Sequence, residues 1–146
     1  RLQDEETESY MIIDFWSKRQ TATAKSTTAA ELVSLSYAAD QHAVPAAMLL
    51  RAVLCRPIQC LYHEDNSAAI AVAKRGYSAA MRALAKHFRV AVSSLGELFH
   101  DADNDLLFCK SNDQKVDPMT KGLSGPAMIL AQEHLDLVGF CPDLDV

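Results

Sequence analysis

Three acidic residues, Glu31, Asp65 and Asp117, lie where a predicted helix begins after a strand or a loop. Such junctions gather at one end of the sheet in an α/β protein, and ligands bind at that end. Carboxylate oxygens are the ligands that hard divalent cations prefer. The three acids are therefore candidates for one metal site. Asp65 is the strongest of them because it follows an apolar strand directly and leads into Asn66-Ser67.

The same three positions also suit helix capping. Glu31 stands three residues after Thr28, which is the spacing of a capping box. Asp65 precedes a predicted helix, and Asp117 precedes Pro118, a residue type favoured in the first turn of a helix. The spacing alone leaves capping and metal binding open, and one role does not exclude the other.

A stretch without acids is the second chemical feature. The net charge of −5 argues against an ordinary nucleic-acid binder. Residues 66–96, however, contain no acid and five bases, which are Lys74, Arg75, Arg82, Lys86 and Arg89. The last three follow one another at i, i+4 and i+7, so they form one stripe of a helix that suits a phosphate backbone. A solvated helix face, balanced by the acidic C-terminal third, is the alternative interpretation.

Several other kinds of site do not fit the residue pattern. Residues 101–105 resemble the start of a calcium-binding loop, but Leu106 and Asn112 stand where Gly and Glu are required, so a turn is predicted. Cys60 and His63 are three residues apart on a predicted strand and face opposite sides, which argues against a zinc pair. The sequence contains no P-loop, no dinucleotide-binding glycine motif and no nucleophile elbow.

The order of predicted elements indicates an α/β domain, because strands alternate with helices along the chain. Strands are predicted at residues 10–16, 58–63 and 106–109. Helices are predicted from Ser26 to Cys55, Asp65 to Arg75, Ala79 to Phe99, Asp117 to Gly122, and Gly125 to Leu137. Pro45 is expected to kink or break the first helix, and Gly76 is expected to stop the second.

The composition of the 146 residues favours a single folded domain. Hydrophobic residues make up 49% and charged residues 23%, which is too apolar for disorder and too charged for a membrane span. The longest apolar run, Ala43–Leu54, is interrupted by Arg51 and is too short to cross a bilayer. The acidic start does not resemble a secretory signal. The scattered cysteines are expected to be reduced, mostly buried thiols of an intracellular protein, and they are Cys55, Cys60, Cys109 and Cys141.

Five segments, in order, resemble the ribonuclease H domain of copia-type LTR retrotransposon Pol polyproteins. Residues 16–20 and 26–32 are similar to that family's W-S-S-K-R-Q and S-S-T-E-A-E-Y, and residues 63–74 are similar to its C-D-N-Q-S-A-I-x-L-A-K. Residues 85–87 are similar to T-K-H, and residues 113–123 to D-Q-x-A-D-x-x-T-K-x-L. Each match alone is weak, but five in the correct order are specific.

The resemblance implies a ribonuclease H-like fold, which is a mixed five-stranded sheet flanked by helices. It also implies hydrolysis of the RNA strand in RNA–DNA hybrids, with four carboxylates holding two Mg²⁺ or Mn²⁺ ions. By motif match, Glu31, Asp65 and Asp117 are three of these catalytic, metal-binding carboxylates. Asn66 and Ser67 are then expected to contact the sugar–phosphate backbone.

The expected partner is an RNA–DNA hybrid, together with an upstream reverse transcriptase domain of the same polyprotein and no membrane. The basic residues expected to bind the nucleic acid are Lys74, Arg82, Lys86 and Arg89. A degenerate, non-catalytic remnant of the same fold, which binds nucleic acid or another protein, is the alternative.

The beginning of the chain departs from the family pattern. The resemblance places the first catalytic Asp on a strand well before Trp16, and 15 residues precede Trp16 in this sequence. We therefore expect the first strand to be missing and the activity of the chain to be impaired. The predicted organisation is an N-terminally incomplete ribonuclease H-like domain at residues 1–125, followed by a C-terminal helix and tail at residues 126–146.

Overall fold

The computed structural model describes residues 2–3, 10–11, 20, 24–81, 92–110 and 125. The chain divides into two compact units. One unit comprises Arg1–Arg19 and Ser111–Val146, and it contains the antiparallel strands β1 (Leu2–Gln3) and β2 (Tyr10–Met11). The remainder of the strand predicted at residues 10–16 lies outside the described residues, as do Asp117 and the tail at residues 126–146.

The other unit, Gln20–Lys110, has alternating helices and strands. Its strands are β3 (Cys60–Glu64) and β4 (Asn104–Phe108), which pair in parallel with Cys60 opposite Asn104. Its α-helices are α1 (Thr27–Ala38), α2 (Val44–Leu54), α3 (Ser67–Arg75) and α4 (Val92–His100). The predicted α/β class is therefore confirmed at the level of mixed helices and parallel strands.

Helix α1 is capped by Ser26, whose Oγ accepts the N–H of Ala29 at 3.1 Å. The predicted capping box of Thr28 and Glu31 is wrong, because the helix begins earlier and Thr28 lies within its first turn. Glu31 lies in the second turn, beyond the N–H groups that need a cap. Capping therefore does not explain the acid at position 31.

The kink or break predicted at Pro45 corresponds to a change of helix type, because the chain stays helical from α1 through α2. A π-helical turn at Ala39–Ala43 separates α1 from α2, and the N–H of Val44 bonds to the carbonyl of Ala39, five residues earlier. Pro45 has no N–H to continue the regular α-helical pattern, so it is accommodated in the first turn of α2. Helix α2 ends as predicted, at Cys55, whose φ of 50° is left-handed.

The strands differ by a few residues from their predicted bounds. β3 covers Cys60–Glu64 and not residues 58–63, and β4 begins at Asn104, two residues before the predicted start. Along β3, exposed residues alternate with less exposed ones, so Cys60 and His63 face opposite sides, as predicted. The same alternation turns Glu64 into the protein interior.

A single helix is predicted from the sequence at residues 79–99. The structure has α4 at the end of this range, over Val92–His100. Residues Ala79–Met81 form a 3₁₀ turn, and residues 82–91 lie outside the described part of the chain. The turn predicted before β4 is confirmed, because the N–H of Asp103 and Nδ2 of Asn104 both donate to the Asp101 carboxylate at 3.2 Å.

The apolar core of this unit lies between the helices and the inward face of β3 and β4. Tyr62 of β3 meets Phe99 of α4 edge to face, with 5.2 Å between ring centroids. Leu32 and Leu106 are fully buried at the centre. The other buried core residues are Ala29, Leu35, Ala39, Ala69, Ala73 and Leu95. This core fixes α1 and α3 beside the carboxyl end of β3.

Among the described cysteines, the predicted burial is wrong. Cys55 is exposed at the end of α2, and Cys60 and Cys109 are partly exposed near strand ends. All three are free thiols. The apolar run Ala43–Leu54 is divided between the π-helical turn and α2, and within the described ranges no helix has the length and apolarity needed to cross a membrane.

Replacing Gly96 with Ala is expected to destabilise the fold. A Cβ at Gly96 would lie 2.5 Å from Cα and 3.0 Å from N of Gly76, so α3 and α4 would have to move apart. Overpacking of this kind costs about 1–3 kcal/mol, against a helix-propensity gain of about 1 kcal/mol for Ala over Gly. Urea unfolding should give a lower free energy of unfolding for Gly96→Ala than for Ser94→Ala, an exposed control on the same helix. Equal stabilities would contradict the close helix contact.

Candidate metal-binding site at the end of strand β3

The structure brings together two of the three acids singled out in the sequence. Asp65 follows β3 directly, and Glu31 lies on α1, which packs against α3. Burial raises the pKa of Glu31, and the negative charge of Asp65 raises it further. The two carboxylates therefore interact electrostatically although they belong to different elements. Asp65 places this acidic pair next to the carboxyl end of β3.

A third carboxyl group, that of Glu64, belongs to the same site and was missed in the sequence. Glu64 is only 6% exposed, and its Oε1 accepts the N–H of Asn66 at 3.0 Å. The pKa of Glu64 is raised to about 7, chiefly by burial and also by the charges of Glu31 and Asp65, while the Asn66 N–H acts in the opposite direction. A hydrogen bond with the Asp65 side chain also favours the protonated form of Glu64.

The sequence carried a weak signal for Glu64. In β3 the buried positions alternate, so a strand with Tyr62 inward also turns position 64 inward. The sequence pattern predicts that the strand ends at His63, one residue before its end in the structure, and it places Glu64 in the following loop. Glu64 belongs to the strand because it pairs with Phe108 of β4, which is distant in sequence.

Helix capping does not account for Asp65. The N-cap of α3 is Asn66, whose Oδ1 accepts the N–H groups of Ala68 and Ala69, both at 3.1 Å. The capping role considered for Asp65 is therefore wrong, because its neighbour fills that role.

The donor set at this site suits a hard divalent cation. Among the described residues, two ion pairs occur, Arg51–Asp103 at 3.0 Å and Lys74–Asp105 at 3.1 Å, and neither includes Glu31 or Glu64. Carboxylate oxygens are the ligands that Mg²⁺ and Mn²⁺ prefer. The described part of the chain holds no group of three or more His, Cys, Asp and Glu residues arranged to bind a metal. Of the candidate ligands singled out in the sequence, it includes Glu31 and Asp65.

The residues predicted to bind nucleic acid are only partly described. Ser67 is exposed at the start of α3, next to Asn66. Lys74 is exposed near the end of α3 and pairs with Asp105, with 46% of each side chain exposed. Such a surface pair contributes little to stability, so Lys74 can exchange its partner for a phosphate. The remaining predicted contacts lie outside the described residues, and they are Arg82, Lys86 and Arg89.

Replacing Asn66 with Ala is expected to lower the free energy of unfolding by about 1 kcal/mol, because α3 loses the side chain that caps two of its N–H groups. Asn66→Ser keeps a capping oxygen and should restore most of the loss. Thermal or urea unfolding measures the effect, with Ser67→Ala as the control at the exposed neighbouring position. The capping role would be contradicted if Asn66→Ala and Ser67→Ala were equally stable.

Comparisons of the chain with protein-family models, with curated proteins and with solved structures found no match. The interpretation of the site therefore depends on its own residues. Those residues are the acids of α1 and β3 and the polar start of α3.

Proposed function

We propose that this chain is a ribonuclease H-like domain that hydrolyses the RNA strand of RNA–DNA hybrids. The observation that carries the proposal is the electrostatic interaction of Glu31 with Asp65, which lie on different elements. The ordered sequence matches select the same two residues, together with Asp117. Neither Glu31 nor Asp65 is the N-cap of its helix, so helix capping does not explain their placement.

The arrangement of the surrounding elements supports the proposal. β3 and β4 are parallel, α3 follows β3 after a short turn, and α1 and α3 contribute to the same core. Acids that follow a strand in such a layered fold lie at the edge of the sheet where ligands bind. In the proposed fold, this pair of strands belongs to the mixed five-stranded sheet that the resemblance implies.

In this proposal each group of the site has a separate task. Glu31 and Asp65 would bind Mg²⁺ or Mn²⁺, and Asp117 is a further carboxylate ligand that the sequence resemblance implies. Bound divalent ions supply activation of the attacking water and stabilisation of the leaving oxygen. Asn66 uses its Oδ1 to cap α3. Its Nδ2 and the Ser67 hydroxyl would donate to phosphate oxygens of the bound hybrid.

The basic residues of the acid-free stretch bind the phosphate backbone in this proposal. They are Lys74, Arg82, Lys86 and Arg89. Binding through such contacts is expected to weaken as the salt concentration rises, because phosphate contacts release counterions. The partner proposed from the sequence resemblance is an RNA–DNA hybrid, with an upstream reverse transcriptase domain of the same polyprotein as a further candidate partner.

The test is cleavage of a hybrid with a labelled RNA strand in Mg²⁺ or Mn²⁺. The assay compares the 146-residue chain with a longer chain that also includes the residues encoded upstream. The longer chain is needed because the resemblance implies a fourth carboxylate besides the three named above. Asp65→Asn should reduce cleavage about 100-fold or more, since even residues that only support a metal ligand cost 10–100-fold. Glu97→Gln, at an exposed position of α4, is the matched control.

Two results would separate the alternatives. Cleavage that persists in EDTA, or that is unchanged in Asp65→Asn, would overturn the proposed function. Salt-dependent binding of the hybrid by both forms of the chain, without cleavage by either, would favour the non-catalytic remnant.

A further inference from the structure

The carboxyl group of Glu64 is enclosed at the junction between β3 and α3. Its backbone carbonyl accepts the N–H of Cys109 at 3.0 Å, on the side of β4. Its side-chain Oε1 accepts the N–H of Asn66 at 3.0 Å, on the side of α3. Asp65 lies between Glu64 and Asn66 in the chain, so the hydrogen bond between these two residues closes a short loop that contains Asp65.

The same chain of hydrogen bonds continues into α3. After its N–H is bound by Glu64, Asn66 uses its own Oδ1 to accept the N–H groups of Ala68 and Ala69. The backbone is thereby fixed from the last residue of β3 to the first turn of α3. Few conformations remain for the backbone of Asp65.

The fold alone gives no reason for a carboxyl group at position 64. Burying a carboxyl costs free energy unless it is well paired, and among the described residues no Lys or Arg forms an ion pair with Glu64. What the carboxyl provides is an acceptor for the N–H of Asn66 and a hydrogen-bond partner for the Asp65 side chain. We infer that Glu64 is a positioning residue, which holds Asp65 in place through the N–H of Asn66 and through its own hydrogen bond with the Asp65 side chain.

This inference rests on the proposed function, because it assigns Asp65 to metal binding. Glu64 itself does not contact the metal in this arrangement. Its role is to restrict where the Asp65 carboxylate lies, as hydrogen-bonded supporting residues do for metal ligands in general. The geometry of the side chain, and not its charge, is then the property that matters.

The experiment measures Mn²⁺ binding to the whole 146-residue chain by electron paramagnetic resonance, which counts free Mn²⁺. Glu64→Gln keeps an Oε1 acceptor at the same distance and should bind Mn²⁺ within about twofold of wild type. Glu64→Asp keeps the charge but withdraws the acceptor, and Glu64→Met removes the acceptor at similar size. Both should bind about 10–100-fold more weakly. Glu97→Met is the control for the substitution itself, at an exposed position of α4.

The Mn²⁺ affinities of the variants test the positioning role and the metal site separately. If wild type binds and Glu64→Asp and Glu64→Met bind equally well, the positioning role is overturned while the metal site stands. If Glu64→Gln binds as weakly as Glu64→Met, Glu64 acts through its charge and the positioning role is again overturned. Absence of Mn²⁺ binding in the wild type would overturn the metal site and the inference with it. If Glu64→Met does not fold, the comparison of Glu64→Gln with Glu64→Asp decides by itself.

Discussion

Replacing Glu64 with Gln should stabilise the metal-free protein by about 3 kcal/mol at pH 8 and leave its stability nearly unchanged at pH 4. The pKa of Glu64 rises from 4.5 to about 7 in the folded protein, chiefly because the side chain is buried and also because of the charges of Glu31 and Asp65. The folded state therefore favours the protonated carboxyl. The stabilising contribution of Glu64 is fully present below pH 4.5 and is lost as the pH rises through about 7. Gln is neutral at every pH in this range, so the free energy of unfolding of Glu64→Gln has no such loss at high pH.

Urea unfolding in EDTA, followed from pH 4 to pH 8, measures this difference directly. EDTA keeps metal ions from altering the charge of the site. Glu97→Gln serves as a control for removal of one carboxylate, because Glu97 is exposed on α4. A difference between wild type and Glu64→Gln that stayed constant across this pH range would show that Glu64 is not held in a protonated form.

The second large effect is expected for Glu31→Gln in the presence of metal. Mn²⁺ at about 100 times its Kd should stabilise the wild-type protein by about 2.7 kcal/mol, through binding to the folded state alone. Glu31→Gln removes one of the two described ligands and should lose most of this gain. In EDTA the same variant should be more stable than wild type, because burial and the charge of Asp65 disfavour the ionised Glu31.

Thermal unfolding with increasing Mn²⁺ concentrations at pH 8 distinguishes the two effects. Wild type and Glu97→Gln should show a rise in Tm with Mn²⁺, and Glu31→Gln should start higher and rise little. The proposed role of Glu31 as a ligand would be contradicted by equal Mn²⁺-dependent rises in all three proteins. Glu31→Gln should therefore be more stable than wild type without metal and gain less stability than wild type from Mn²⁺. This combination is expected for a metal-binding residue and not for a residue that only stabilises the fold.

The sequence allowed the acidic site to be predicted in part, because local signals mark where elements begin. Pro45 predicted the interruption between α1 and α2, and the strand before Asp65 predicted its position beside the start of α3. The proximity of Glu31 to Asp65 followed from the general geometry of strand–helix junctions. These predictions required only the pattern of neighbouring residues.

Other features depend on contacts that a local pattern does not contain. Ser26, Thr27 and Thr28 all suit an N-cap, and the structure uses the first of them. The last residue of β3 is fixed by pairing with β4, so the inward orientation of Glu64 was not predicted. For the same reason, the sequence did not show that Asn66, and not Asp65, would cap α3.

The central claim is that Glu31 and Asp65 bind the metal ions used to hydrolyse RNA in RNA–DNA hybrids. Its most direct test is a cleavage assay on one labelled RNA, offered single-stranded, paired with RNA and paired with DNA, to the chain with its upstream coding sequence. We expect cleavage of the hybrid alone, dependent on Mg²⁺ or Mn²⁺ and lost in Glu31→Gln and Asp65→Asn. An uncut hybrid with a folded protein, or equal cleavage of single-stranded RNA in EDTA, would contradict the claim.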